Sequence, residues 1–102
     1  MDRNVIIATL RGREAELKAL GVASLSLFGS VARGEATEES DIDVAVTFDP
    51  SLTPRGFYFI GRLDEVRERL EAVLGRSVDV VPEPAQKPRF QQEIDRDRVR
   101  AF

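Results

Sequence analysis

Apolar positions recur with two different periods along this chain of 102 residues, and the switches between them delimit its elements. From Asn4 to Leu20 the period is helical. Ile6, Leu10, Leu17 and Leu20 fall on one face, Asn4 is placed to cap the start, and Gly21 supplies a left-handed stop. Glu14 and Lys18 form an i, i+4 pair on the solvated side. From Val22 to Phe28 the period drops to two, which predicts a strand with Ala23, Leu25 and Leu27 on one face and Ser24, Ser26 and Phe28 on the other. Gly29 then forces a sharp turn, residues 30–34 read as a short helical turn, and residues 35–40 as a polar loop. A second alternating run, Ile42 to Phe48, ends at Asp49-Pro50.

The helical period returns after Thr53-Pro54, a capping hydroxyl followed by proline at the first helical position. Phe59, Leu63, Val66, Leu70 and Val73 make one apolar face, charged residues fill the other, and Gly75 closes the helix. The cluster Phe57-Tyr58-Phe59-Ile60 is apolar around more of the circumference than one core face needs. It is read as core plus a partly covered surface, with a partner-binding patch as the alternative. Ser77 to Val81 is a short aliphatic strand with Asp79 at its centre, where a carboxylate among valines is costly unless paired or bound to metal. A last helix over residues 88–95 pairs Phe90 with Ile94, Asp95-Arg96-Asp97 reads as a turn, and Arg98 to Phe102 as a terminal strand. The order helix, strand, strand, helix, strand, helix predicts an α/β (α+β) domain, a small mixed sheet flanked by helices, occupying residues 1–102 as one unit.

Composition narrows the chemistry. Apolar residues make up 42% of the chain and the net charge is −3, so it reads as globular and not as a nonspecific nucleic-acid binder; no direct nucleic-acid contact is expected. There is no cysteine and no histidine, which removes disulfides, thiolate sites and the commonest general base. A metal here must accept oxygen ligands, which points to magnesium or manganese. Neither a signal-peptide pattern nor a membrane-length apolar run is present, and a cytoplasmic location is the expectation. Arg89, Arg96, Arg98 and Arg100 alternate with acidic residues and read as a solvated surface rather than a phosphate-binding face.

One stretch resists a purely structural explanation. Asp41 and Asp43, two apart on a strand, project to the same face, where like charges repel unless a cation lies between them. Ten residues upstream, Gly29-Ser30 opens a helical turn whose backbone N–H groups and hydroxyl favour an anion, with Arg33 one turn on as a candidate charge-assisted contact. Carboxylates facing an anion site are what two-metal phosphoryl or nucleotidyl transfer requires, and Asp79 is a candidate third carboxylate from a neighbouring strand. For Arg33, a surface ion pair with Glu35 or Glu38 competes evenly.

Phe28-Gly29-Ser30-Val31-Ala32-Arg33-Gly34 with Ser40-Asp41-Ile42-Asp43-Val44 resembles the signature of the DNA polymerase β-like nucleotidyltransferases, and most of all their minimal nucleotidyltransferase (MNT) branch. Gly75-Arg76-Ser77-Val78-Asp79-Val80-Val81 resembles the strand that carries the third aspartate of that family. The resemblance implies a polymerase β palm-like fold that binds ATP through two magnesium ions, with manganese as an alternative. It implies that Asp41, Asp43 and Asp79 are catalytic and hold metal, with Asp79 beside the other two, while Gly29, Ser30 and Arg33 bind the nucleotide. It further implies AMP transfer to a separate HEPN-type toxin, making this chain an antitoxin, in a hetero-oligomer if the two stay together. The alternatives are an antitoxin that neutralises by binding without catalysis, and a small-molecule nucleotidyltransferase.

Overall fold

The computed structural model describes residues 2–102. Its centre is a mixed four-stranded sheet in the order β3-β2-β1-β4. Strands β1 (Val22–Phe28) and β2 (Ile42–Phe48) are antiparallel, β3 (Val78–Pro82) runs parallel to β2, and the short β4 (Val99–Arg100) is antiparallel to β1. Alternation along β2 sends Ile42, Val44 and Val46 to one face. There they join Leu25 and Leu27 of β1 and are sealed by helices α1 (Arg3–Arg11), α2 (Glu14–Ala19) and α4 (Phe57–Leu74), which contribute Ile6, Leu10, Leu17, Val66 and Leu70 to the same core. Helix α5 (Pro88–Asp97) covers part of the opposite face, where Ile94 packs with Phe28 and Ala45, and Phe90 meets the Phe28 ring edge-on at 5.8 Å. Between β1 and β2 lies the one-turn helix α3 (Gly29–Arg33).

Several elements depart from the sequence pattern. The helix expected over residues 4–20 is broken: α1 ends at Gly12, and Arg13 N–H donates to the Leu10 carbonyl at 3.0 Å before α2 begins. Glycine has little helical preference to lose there, while Arg11 Nε is drawn to the Ala101 carbonyl at 2.8 Å. The cap of α1 is Asp2 rather than Asn4, its Oδ1 accepting from Val5 N–H at 3.0 Å. In β1 the register slips between Val22, opposite Phe48, and Ser24, opposite Thr47. This bulge leaves Ala23 exposed and gives Val22 to the core.

Helix α4 starts at Phe57, not at Thr53. The Thr53 hydroxyl is already committed to the Asp49 carbonyl at 2.6 Å, closing a 3-10 turn over Pro50–Leu52 that Asp49 caps. The chain then passes through Gly56 at φ +62°, so the first helical turn can form only after it. At the other end of α4 the core position belongs to Leu74, one turn on from Leu70, and Val73 is half-buried. Helix α5 runs on through Asp95–Asp97, which leaves a two-residue β4; backbone bonds from Ala101 N–H to the Leu25 carbonyl (2.9 Å) and from Leu25 N–H to the Phe102 carbonyl (3.0 Å) continue the pairing. Among the described residues no helix is long and apolar enough to cross a membrane.

Candidate active site

The antiparallel register places Phe28 opposite Asp43, and the parallel register places Asp43 opposite Asp79. Residues paired in register share a face, so both carboxylates stand on the face away from the main core. They lie at the end of the sheet where β1 stops and β2 and β3 begin, beyond the part of that face where Ala45 is covered by α5. Asp41, one residue ahead of β2 and two before Asp43, is near enough for its charge to act on Asp43. Asp79 is exposed, which corrects the expectation of a carboxylate held among valines. The valines flanking it, Val78 and Val80, point to the main core, and Asp79 points to water.

Asp43 is half-buried, and its carboxyl is held above the usual range, first by burial and then by the negative charges of Asp79 and Asp41. The positive charge of Arg33 offsets this only in part. Its guanidinium is turned to other groups, Nε to Glu35 at 3.0 Å and Nη1 to Asp97 at 2.7 Å. That pairing holds the Asp97 carboxyl below its ordinary range. The three aspartates thus form an under-neutralised patch of hard oxygen donors, which is the donor chemistry that magnesium or manganese accepts. Among the described residues, no group of three His, Cys, Asp or Glu side chains is gathered tightly enough to hold a metal ion by itself.

Gly29 adjoins this patch. Its φ of +71° is a left-handed value, and a Cβ built on it would overlap Asp43 Oδ2. From the sequence, Gly29-Ser30 is a candidate anion site; in the structure the missing side chain makes room for the Asp43 carboxylate. Ser30 follows as the second residue of α3, and its carbonyl accepts from Glu35 N–H at 2.9 Å, folding the polar loop back against the turn. Arg76, which no pattern singles out, lies on the connection before β3 and donates from Nη2 to the carbonyls of Ser40 (2.6 Å) and Thr37 (3.1 Å). Its contacts are long-range and to backbone, and such contacts leave no periodic trace in a sequence.

The nucleotidyltransferase domain family matches residues 10–101, a span that includes all of these elements except α1's first turns. The chain belongs to that family. Among relatives of this nucleotidyltransferase, a protein of Thermococcus cleftensis named protein adenylyltransferase MntA is 36% identical over 97 residues, covering 92% of this chain and 90% of its own. A Methanocaldococcus jannaschii protein, named as a candidate protein adenylyltransferase, is 40% identical over 79 residues, 76% of this chain and 75% of its own. A solved structure described as a candidate minimal nucleotidyltransferase superposes with a TM-score of 0.78 at 31% identity, over 97% of this chain and 95% of that one. A toxin–antitoxin structure with AMP-PNP shares the fold with a TM-score of 0.66 at 22% identity, over 88% and 72% of the two chains. The expected fold is therefore the observed one.

Proposed function

We propose that this chain works as a single minimal nucleotidyltransferase domain that transfers AMP from ATP to a protein partner, a HEPN-type toxin, and so acts as its antitoxin. The observation that carries the reading is the row Phe28–Asp43–Asp79 across three strands, with Gly29 against the Asp43 carboxylate and Asp41 adjoining. Likeness to a relative named protein adenylyltransferase over nine-tenths of both chains supports the acceptor class. One solved relative of the same fold is described as an MNT antitoxin in complex with a tri-AMPylated HEPN toxin of Shewanella oneidensis, which supports the partner.

Asp41 and Asp43 would hold two magnesium ions, or manganese in their place, and Asp79 one of the two. Bound there, the ions supply neutralisation of the triphosphate and polarisation of the bond that breaks. The backbone N–H groups and hydroxyl at Gly29-Ser30 would bind the β- and γ-phosphates, leaving the α-phosphorus facing the aspartates. The acceptor hydroxyl forms a bond to that phosphorus while the bond to pyrophosphate breaks, and Asp79, exposed and free of the α5 cover, receives the hydroxyl proton. Arg33 joins the phosphate contacts by exchanging Glu35 or Asp97 for the nucleotide. Incubation with labelled ATP, magnesium and the cognate partner tests the proposal. Label should pass to the partner, and Asp41→Asn, Asp43→Asn or Asp79→Asn should each abolish it; unchanged labelling by Asp43→Asn contradicts the assignment.

A further inference from the structure

We propose that Arg76 is a positioning residue for Asp41, setting where that carboxylate stands relative to Asp43 and Asp79; the inference rests on the nucleotidyltransferase reading above. Asp41 lies just outside the β2–β3 ladder, whose pairing begins at Ile42 opposite Val78, with Ile42 N–H donating to the Ser77 carbonyl at 3.0 Å. Upstream of it the polar loop closes on itself, Ser40 N–H to the Thr37 carbonyl at 3.1 Å and Thr37 N–H to Ser40 Oγ at 3.0 Å. Among the described residues, no hydrogen bond donated from within residues 37–40 reaches the sheet, and only Ala36 beside the turn packs on the core. Arg76 makes the link from the other side, because its Nη2 donates to the carbonyls at both ends of the turn. The Ser40 carbonyl belongs to the planar peptide that leads into Asp41, so holding it fixes the plane from which the Asp41 side chain departs.

The donor is itself anchored. Gly75, at φ +67°, ends α4 just before it, and Val78 N–H just after it donates to Glu71 Oε2 at 3.0 Å. Asp79 follows three residues on, so one side chain joins the segment bearing Asp41 to the segment bearing Asp79. Arg76 Nε is buried without a hydrogen-bond partner. The guanidinium's hydrogen bonds go to two backbone carbonyls and to no carboxylate, so its contacts serve the turn. Both bonds leave one nitrogen, Nη2, so a lysine ammonium can restore them in part, without the rigid plane that aims the guanidinium.

The test uses the full chain without its partner. Binding of Mn2+ in the presence of a non-hydrolysable ATP analogue is titrated by electron paramagnetic resonance for wild type, Arg76→Met, Asp41→Asn and the double variant, and amide exchange is followed over residues 35–41. Arg76→Met, which keeps the aliphatic stem, should weaken Mn2+ binding by on the order of 10-fold and speed exchange in the turn, since losing a contact that orients a metal-holding group costs about 10–100-fold in affinity. On the Asp41→Asn background it should weaken binding no further, and Arg76→Lys should recover part of the loss. Faster exchange with unchanged Mn2+ affinity, or an undiminished further loss on the Asp41→Asn background, overturns the inference. If the Met variant does not fold, Arg76→Gln takes its place in the same cycle. A wild-type chain that binds no Mn2+ with the analogue overturns the nucleotidyltransferase reading and this inference with it.

Discussion

Gly29 meets two demands at once, a left-handed backbone and a carboxylate occupying the space of its missing side chain. The obstructing atom is the tip of a side chain, so Gly29→Ala can be accommodated by swinging Asp43 away. The stability cost is then mainly the left-handed backbone, about 1–2 kcal/mol, whereas AMP transfer should fall far more steeply because Asp43 has moved. Chemical denaturation measured beside transfer activity separates the two effects. Asp43 has its own signature. Its folded-state pKa lies above the unfolded value, so the folded chain holds this proton more tightly and stability falls as pH rises from the unfolded pKa through the folded one. Asp43→Asn removes that loss: the metal-free variant should be more stable than wild type at neutral pH, by roughly 0.2–1 kcal/mol, and equal to it near pH 3. Denaturation midpoints at the two pH values check this. The fold thus holds the Asp43 carboxylate in place against an electrostatic cost.

At the scale of elements, α5 is fixed to the sheet by Arg98. It pairs with Glu83 and Asp95, the latter at 2.7 Å, and donates to the buried Ser26 hydroxyl at 3.1 Å. Gln91 completes the network, linking Glu83, Asp95 and the Ala85 N–H. Arg98→Met would leave Glu83 with Gln91 alone and take the partner from the buried Ser26 hydroxyl, and should cost about 2 kcal/mol. The Arg98 contact holds the Glu83 carboxyl below its ordinary range, so its contribution is present above the unfolded pKa and lost as pH falls through the folded one. The variant should therefore lose less stability on acidification than wild type, a difference that melting temperatures between pH 7 and pH 3 will show. The elements that were legible in the sequence are those with a period of their own: β1, β2, β3 and the apolar faces of α4 and α5. The breaks were not legible. Leu10 and Leu17 are seven apart and fit an unbroken helix, and only the pull of Ala101 on Arg11 and the tolerance of Gly12 explain the interruption. Thr53-Pro54 reads as a helix start until Asp49 claims the threonine hydroxyl. Likewise Asp41, Asp43, Gly29 and Ser30 stand out by spacing and Asp79 as a lone carboxylate among valines, its place beside the other two resting on family resemblance, while Arg76 and the pairing of Arg33 with Asp97 depend on contacts across the fold.

Across the whole molecule, the aspartates lie where β2 begins, while Phe59, at the start of α4, packs edge-on against Phe48 at 5.2 Å where β2 ends. Around Phe59 the surface is apolar and open: Phe57 is 84% exposed, Tyr58 76% and Ile60 61%. These side chains contribute little to the fold, so Phe57→Ser and Ile60→Ser should change stability by less than about 0.5 kcal/mol, as thermal unfolding will show. In the proposed function this chain acts on its partner by chemistry rather than by masking it. The most direct measurement is the intact mass of the cognate toxin purified after co-expression with wild type or with the Asp41→Ala/Asp43→Ala double variant, together with growth of the producing cells. Wild type should give a toxin carrying added AMP and growing cells, and the double variant an unmodified toxin and arrested growth. An unmodified toxin beside wild type, or full neutralisation by the double variant at equal protein level, would contradict the proposed function.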